Sequence, residues 1–260
     1  MERIEEAGNR EEKKEQGAPN EPCSKSRRAG LANPFASLSP LEWTILIISI
    51  VGVITSYLLA PSGSVLNFIA SLVGVISLIF VSKGMVFGQI LMCIFAILYG
   101  IVSLRFAYYG EMITYMGMTL PMAALSVFEW LRHPYGEGKE VAVGRLTVPR
   151  VALMLAITAA VTVAFYFILA ALGTARLLVS TVSVATSFLA AYLTFLRSPL
   201  YALAYAANDA VLIVLWIFAG LADPSSLPMI ICFLMFFIND MYGFFYWLRM
   251  QKRQQGGGEA

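Results

Sequence analysis

The chain has 260 residues, 59% of them hydrophobic and only 13% charged. A soluble domain carries about 25% charged residues, so a water-bathed globular fold is excluded and an all-α, multi-span membrane protein is implied. The net charge of +2 says little, because the distribution of charge matters more than its total, and no nucleic-acid partner is expected. Three scattered cysteines (Cys23, Cys93, Cys232) and a single histidine, His133, give neither a disulfide framework nor a metal-ligand spacing. No metal or cofactor is expected.

Residues 1–40 are rich in Glu, Lys, Arg, Gly and Pro, which predicts a disordered tail and no cleavable signal peptide. From Leu41 onward eight apolar segments follow, at 41–60, 64–82, 84–104, 111–131, 150–172, 176–196, 199–221 and 226–248. Each is long enough to cross ~30 Å of hydrocarbon as a helix. One long loop, 132–149, and a C-terminal tail, 249–260, complete the chain. Eight spans put both termini on one side. With that side inside, the inner segments hold 16 of the 18 Lys and Arg residues, leaving out only Arg105 and Arg176. That bias predicts cytoplasmic termini and a cytoplasmic 132–149 loop.

A faint internal repeat is present. Laying Met112–Leu131 on Met229–Leu248 aligns Trp130 with Trp247, each just before an arginine. In the preceding helices Lys83 matches Arg197, and Leu98-Tyr99 matches Leu215-Trp216. The implied architecture is an extra N-terminal helix (41–60), a triple-helix unit (64–131), a linker helix (150–172) and a second, parallel triple-helix unit (176–248). Parallel repeats of this kind occur in secondary transporters. The tryptophans near span ends, Trp43, Trp130 and Trp247, are expected in the interfacial belt.

Polar residues at membrane depth are costly and point to function. Span 84–104 carries Gln89, and span 111–131 carries Glu111 and Tyr115 near its outer end. Glu111 reads either as a solvated acid at a helix N-terminus or as part of a site. In span 199–221, Tyr201, Tyr205, Asn208 and Asp209 share a face, with Trp216 seven residues beyond Asp209. Span 226–248 adds Asn239, Tyr242 and Tyr246, with Asp240 and Trp247 beside them. The expected binding set is therefore Gln89, Glu111, Tyr115, Tyr205, Asn208, Asp209, Trp216, Asn239, Tyr242 and Tyr246. Amides donate and accept toward a carboxamide or sugar hydroxyls, aromatic faces stack on a flat or cationic ring, and carboxylates complement positive charge. With no nucleophile, metal cage or phosphate loop in view, transport of a small solute outranks catalysis. An enzyme built on Asp209 and Asp240 as a carboxylate pair, or a receptor without transport, is the rival from another class.

The segments FVSKGMVFGQILMCIFAILYG, YYGEMITYMGMTLPMAALSVFEW, LRSPLYALAYAANDAVLIVLW and FINDMYGFFYWLRM resemble the PnuC family of vitamin-precursor transporters, over roughly 41–250. The resemblance implies a SWEET-like bundle of two parallel triple-helix units and no enzymatic activity. It also implies facilitated diffusion of nicotinamide riboside through the inner membrane with alternating access, feeding NAD synthesis after trapping by a cytoplasmic kinase. Gln89 falls on a family polar position. Tyr205 and Asn208 fall where the family often has Trp followed by Asn, and Asn239 with Tyr242 matches its Asn-x-x-Tyr pattern. The family's Arg-x-x-Glu-x-Trp run is replaced here by Arg197-Ser-Pro-Leu-Tyr201, so thiamine, riboflavin and deoxynucleosides stay as alternative substrates. Ion coupling and association into a homo-oligomer are left open. The expected partners are the small-molecule substrate, the lipid bilayer and the kinase.

Overall fold

The computed structural model describes residues 34–59, 64–106, 108–136, 140–174, 176–223 and 226–256. The tail expected to be disordered therefore lies outside the described residues as far as residue 33, as do Lys139 and the last four residues. The helices are α1 (Pro40–Leu59), α2 (Val65–Ser82), α3 (Val86–Arg105), α4 (Tyr109–Thr114), α5 (Leu120–Arg132), α6 (Val148–Ala171), α7 (Leu177–Phe195), α8 (Leu200–Ala222) and α9 (Leu227–Gly256). Seven of them are long and apolar enough to cross a membrane.

The eighth expected span, 111–131, is present but divided. Between α4 and α5 the chain forms a π turn, Tyr115–Thr119, in which the Leu120 amide donates to the Tyr115 carbonyl. Pro121 follows directly. A proline inside a helix loses one amide donor and its ring crowds the carbonyl four residues back. A local π turn takes up that mismatch by widening the spiral, and Tyr115 at its start is buried in the core.

The two helix hairpins α2–α3 and α7–α8 use one turn geometry. Gly84 donates to Val81 and Met85 to Phe80; Arg197 donates to Thr194 and Ser198 to Leu193. Each is a helix C-terminus closed by a left-handed residue, Gly84 at φ 68° and Arg197 at φ 57°. The equivalent of Arg197 is thus Gly84, one position on from the sequence pairing with Lys83. Holding an arginine there costs about 1–2 kcal/mol. The cost is offset by its ion pair with Glu129, its bond to the Ala142 carbonyl and the Gly144 amide that caps its own carbonyl.

Helix contacts run α2–α3, α3–α5, α7–α8 and α8–α9, and the two sets meet through α2–α9 and α5–α7. Helix α1 lies on α2 and α9, and α6 lies on α7 with most of its surface facing outward. Trp130 and Trp247 are buried rather than interfacial, with ring centroids 5.6 Å apart. Trp130 Nε1 donates to the Thr194 carbonyl near the end of α7, and Trp247 Nε1 donates to the Val81 carbonyl near the end of α2. A buried indole N–H needs an acceptor, and each of these finds it on the other set of helices.

Three boundaries differ from the sequence reading. Residues 34–40, expected in the disordered tail, form a 3-10 turn at Pro34–Ser37 and the start of α1, because Phe35 packs edge-on against Phe80. Helix α9 runs eight residues past 248, to Gly256; Arg253 pairs with Glu140, and the Gln254 side chain accepts from the Val143 amide and donates to the Val141 carbonyl. The 132–149 loop contains a two-residue antiparallel pairing, Pro134–Tyr135 with Glu140–Val141.

At this end of the bundle, Glu42 is almost wholly buried and fully engaged. Lys83 Nζ lies 2.8 Å from its Oε2, the Tyr242 hydroxyl donates to Oε1 at 2.9 Å, and the Ser39 amide donates to Oε2. Lys83 also donates to the Ser37 carbonyl. This cluster pins α1 to the α2–α3 turn and to α9. Lys83→Met leaves a buried carboxylate without its cation, so thermal unfolding in detergent is expected to show a loss of about 3 kcal/mol. Unchanged stability would mean that the pair is solvated and contributes nothing.

Candidate solute-binding site

The aromatic part of the site sits where α3, α4, α8 and α9 converge. Tyr99 on α3 is fully buried, with the Tyr115 ring 4.2 Å away and the rings of Trp216 and Phe233 at 5.9 and 5.4 Å. Trp216 Nε1 donates to the Tyr99 hydroxyl at 2.7 Å. Tyr99 and Trp216 are the residues that the internal repeat aligns, so equivalent positions touch here as Trp130 and Trp247 do at the basic end.

Beside these rings lies a polar chain that crosses from one helix set to the other. Glu111 is 1% exposed, which overturns the solvated-acid reading of this residue. Its helix start is covered by α6 and α7: a Cβ added at Gly110 would meet the Leu169 side chain at 2.9 Å and Thr174 at 3.0 Å. Ser183 Oγ on α7 lies 3.5 Å from Glu111 Oε2 and 3.4 Å from Asn208 Oδ1, and Thr186 donates to the same Asn208 oxygen at 2.9 Å. Glu111 Oε1 is buried with no hydrogen-bond partner.

Asp209 on α8 and Asp240 on α9 are electrostatic neighbours, each almost wholly buried. Asp209 Oδ2 has no partner. Tyr205 faces both carboxylates from one turn below Asp209 on α8 and engages Thr194 on α7. Tyr115 has Glu111, Asp209, Tyr99 and Tyr205 as its electrostatic neighbours, so it joins the aromatic cluster to the acidic one.

The structure thus brings Glu111, Tyr115, Tyr205, Asn208, Asp209 and Trp216 into one neighbourhood. It does not bring in the rest of the expected set. Asn239 turns its amide to the Met235 carbonyl and to Ser49 on α1, and its Oδ1 is buried without a partner. Tyr242 is held by Glu42, and Tyr246 donates to Glu140 with Lys83 Nζ 5.6 Å from its ring. Both tyrosines point their hydroxyls to the Lys83 end of the bundle, two and six residues beyond Asp240 on α9. Gln89 is buried, but it lies ten residues before Tyr99 on α3, about 15 Å along the helix. The sequence reading missed Ser183 and Thr186. Serines and threonines in spans usually bond back to their own helix, and the usable signal was the period of Ser180, Ser183 and Ser187, all buried on one face of α7.

Residues 64–249 match the nicotinamide mononucleotide transporter family. The chain is 27% identical over 219 residues to a nicotinamide riboside transporter PnuC from Neisseria mucosa, covering 82% of both chains. It is similar to the crystal structure of the vitamin B3 transporter PnuC, with a TM-score of 0.75 at 27% identity, over 85% of this chain and 95% of that one. With this fold and these matches, the chain belongs to the PnuC family of membrane transporters and is not an enzyme.

Proposed function

We propose that the protein carries nicotinamide riboside across the inner membrane, driven by gradients alone, and that phosphorylation by a cytoplasmic kinase retains the product for NAD synthesis. The observation that carries this reading is a buried site of amide, hydroxyl, aromatic and carboxyl groups, in which no lysine, arginine or histidine pairs with Glu111, Asp209 or Asp240 among the described residues. Such a site suits a flat cation with a carboxamide and sugar hydroxyls: aromatic faces attract the pyridinium, carboxylates complement its charge, and Asn208 and Ser183 offer hydrogen bonds. The relatives' names agree on the pyridine vitamin and differ on phosphate.

Alternating access takes the form of rocking between two triple-helix units, 64–131 and 176–248, joined by the 150–172 helix. The reciprocal Trp130 and Trp247 bonds and the Tyr99–Trp216 contact support this division, since residues aligned by the repeat meet along one line. Cytoplasmic termini are supported by the positive residues gathered at one end, and a homo-oligomer is compatible with the outward face of α6.

Calorimetry on detergent-purified protein tests the reading, with thiamine, riboflavin and a deoxynucleoside alongside nicotinamide riboside. Nicotinamide riboside is expected to bind alone. Asn208→Ala is expected to weaken it about tenfold or more, the cost of one or two buried hydrogen bonds. Asn239→Ala, whose amide faces α1, is expected to leave affinity within about threefold. Binding of another solute instead would replace the substrate, and full affinity in Asn208→Ala would remove the polar chain from the site.

A further inference from the structure

At the Lys83 end of the bundle, one stretch of chain caps a carbonyl on each of the two helix hairpins. The Val141 amide donates to the Gly84 carbonyl at 3.0 Å, and the Gly144 amide donates to the Arg197 carbonyl at 2.9 Å. Gly84 and Arg197 are the equivalent left-handed residues that close α2 and α7. Three residues of chain span no more than about 11 Å even when fully extended. Segment 141–144 therefore limits how far apart the two turns can move while both bonds hold.

The two ends are held unequally. Val141 is buried, its side chain lies against Gly84, and its carbonyl accepts from the Gln254 side chain at 3.2 Å. The same side chain takes the Val143 amide at 2.8 Å, and Glu140 pairs with Arg253 and accepts from Tyr246. Gly144 has no side chain to bury, and the next residue, Arg145, is exposed. The hold at this end comes from Arg197, whose guanidinium donates to the Ala142 carbonyl at 3.2 Å and lies 3.4 Å from Glu129 on α5. Its Nε is buried without a partner. Glycine would take the left-handed conformation of this turn freely, as Gly84 does. What the arginine adds is a side chain that ties the α7–α8 turn to α5 and to segment 141–144. The approach is close enough to require Gly144, since a Cβ there would lie 2.1 Å from the Leu196 carbonyl oxygen.

We propose that segment 141–144 is a latch across the mouth of the solute path at this end, anchored on the α2–α3 turn and α9 and released from Arg197 when the path opens. Closed, it fixes the spacing of the two turns beside the crossing bonds of Trp130 and Trp247. Open, the α7–α8 turn moves away, and water replaces Glu129, the Ala142 carbonyl and the Gly144 amide as partners of Arg197. Exchanging protein partners for water changes the free energy little per bond, which makes the latch releasable. Its part in opening rests on the rocking of the two triple-helix units proposed above; the bonds of the latch do not.

Two measurements on the full-length protein in detergent test this, and neither needs a solute. Amide hydrogen exchange reports the opening of each bond. The Gly144 amide is expected to be protected, yet to exchange faster than the Val141 amide. In Gly144→Ala, exchange at position 144 is expected to rise about tenfold, the loss of one hydrogen bond, with Val141 within about threefold of its former rate. An unprotected Gly144 amide in the unmodified protein, or equal exchange at both ends, overturns the latch. The second measurement places a thiol inside the mouth. Ser126 is buried on α5, one turn before Glu129 and Trp130, on the face that these two residues turn to the second helix set. Modification of Ser126→Cys by a water-soluble maleimide, counted above that of the native cysteines, is expected to be slow. Adding Gly144→Ala is expected to speed it about tenfold. Arg197→Gly, which keeps the turn while removing the side chain, is expected to speed it about threefold or more. Labelling unchanged by both substitutions means that the segment frays without opening the mouth, and overturns the latch. A solute other than nicotinamide riboside would leave every one of these results as it is, so failure of the substrate reading and failure of the latch are told apart.

Discussion

Nicotinamide mononucleotide is expected to bind at least about 1,000-fold more weakly than nicotinamide riboside, a gap of about 4 kcal/mol. The two ligands differ only by a phosphate, which adds about 1.5 to 2 negative charges at neutral pH. Moving that charge out of water is affordable only where arginine, lysine or a helix N-terminus receives it. The cluster around Tyr115 offers the opposite: Glu111, Asp209 and Asp240 are its acidic members, and no lysine, arginine or histidine pairs with them among the described residues. The nearest candidates by sequence do not help. Lys83 is spent on Glu42 and the Ser37 carbonyl, and Arg176 lies over the Phe218 ring with its guanidinium 4.2 Å from the centroid. Competition calorimetry with both ligands measures the gap. Comparable affinities would require a cation inside the bundle that the described residues do not provide, and would shift the substrate from the riboside to its phosphate.

Span count and the matched ends of the two triple-helix segments were legible because each span must be apolar along its length and each turn must break the helix. The contacts between segments were legible only in part. The alignment of Tyr99 with Trp216 and of Trp130 with Trp247 was visible as spacing, but spacing carries no information on whether aligned residues touch or face lipid. Hence both inner tryptophans were expected at the membrane surface, where indoles commonly lie, and both proved buried with their N–H groups satisfied across the two helix sets. The candidate site shows the same division. Residues on one face of α8 were found by their period, since Tyr205, Asn208 and Asp209 share a helix. Tyr242 and Tyr246 share the stripe of Asn239 just as well, yet their hydroxyls are taken by Glu42 and Glu140, partners about 200 and 106 positions away in sequence. A period within one helix cannot reveal a partner on another. The extension of α9 was hidden for a different reason: Gln251–Gln255 is polar, and polarity was taken as the end of a span, although Gln, Lys and Arg are good helix formers.

Trp216→Ala is expected to lower stability by about 3–5 kcal/mol, as removal of a large buried aromatic generally does, and to abolish measurable solute binding. The indole is fully buried and has edge contacts with Phe106 at 5.2 Å, Tyr108 at 5.5 Å and Tyr99 at 5.9 Å. Its loss leaves a cavity bounded by three rings, and it strips the Tyr99 hydroxyl of its donor. Tyr99 would then be free to turn away from Tyr115, whose position between Glu111 and Asp209 depends on that stack. Trp216→Phe separates packing from hydrogen bonding. It keeps most of the ring volume and removes only the bond at 2.7 Å, so a cost of about 1–2 kcal/mol is expected. A double-mutant cycle with Tyr99→Phe should recover most of that cost, since removing both partners of a buried bond leaves no orphaned group. If Trp216→Phe is neutral by itself, the contact between the aligned residues is packing alone. If Trp216→Ala retains full binding, the aromatic cluster is a structural seam between the helix sets, and the ligand rests on the polar chain of Glu111, Ser183 and Asn208 without it.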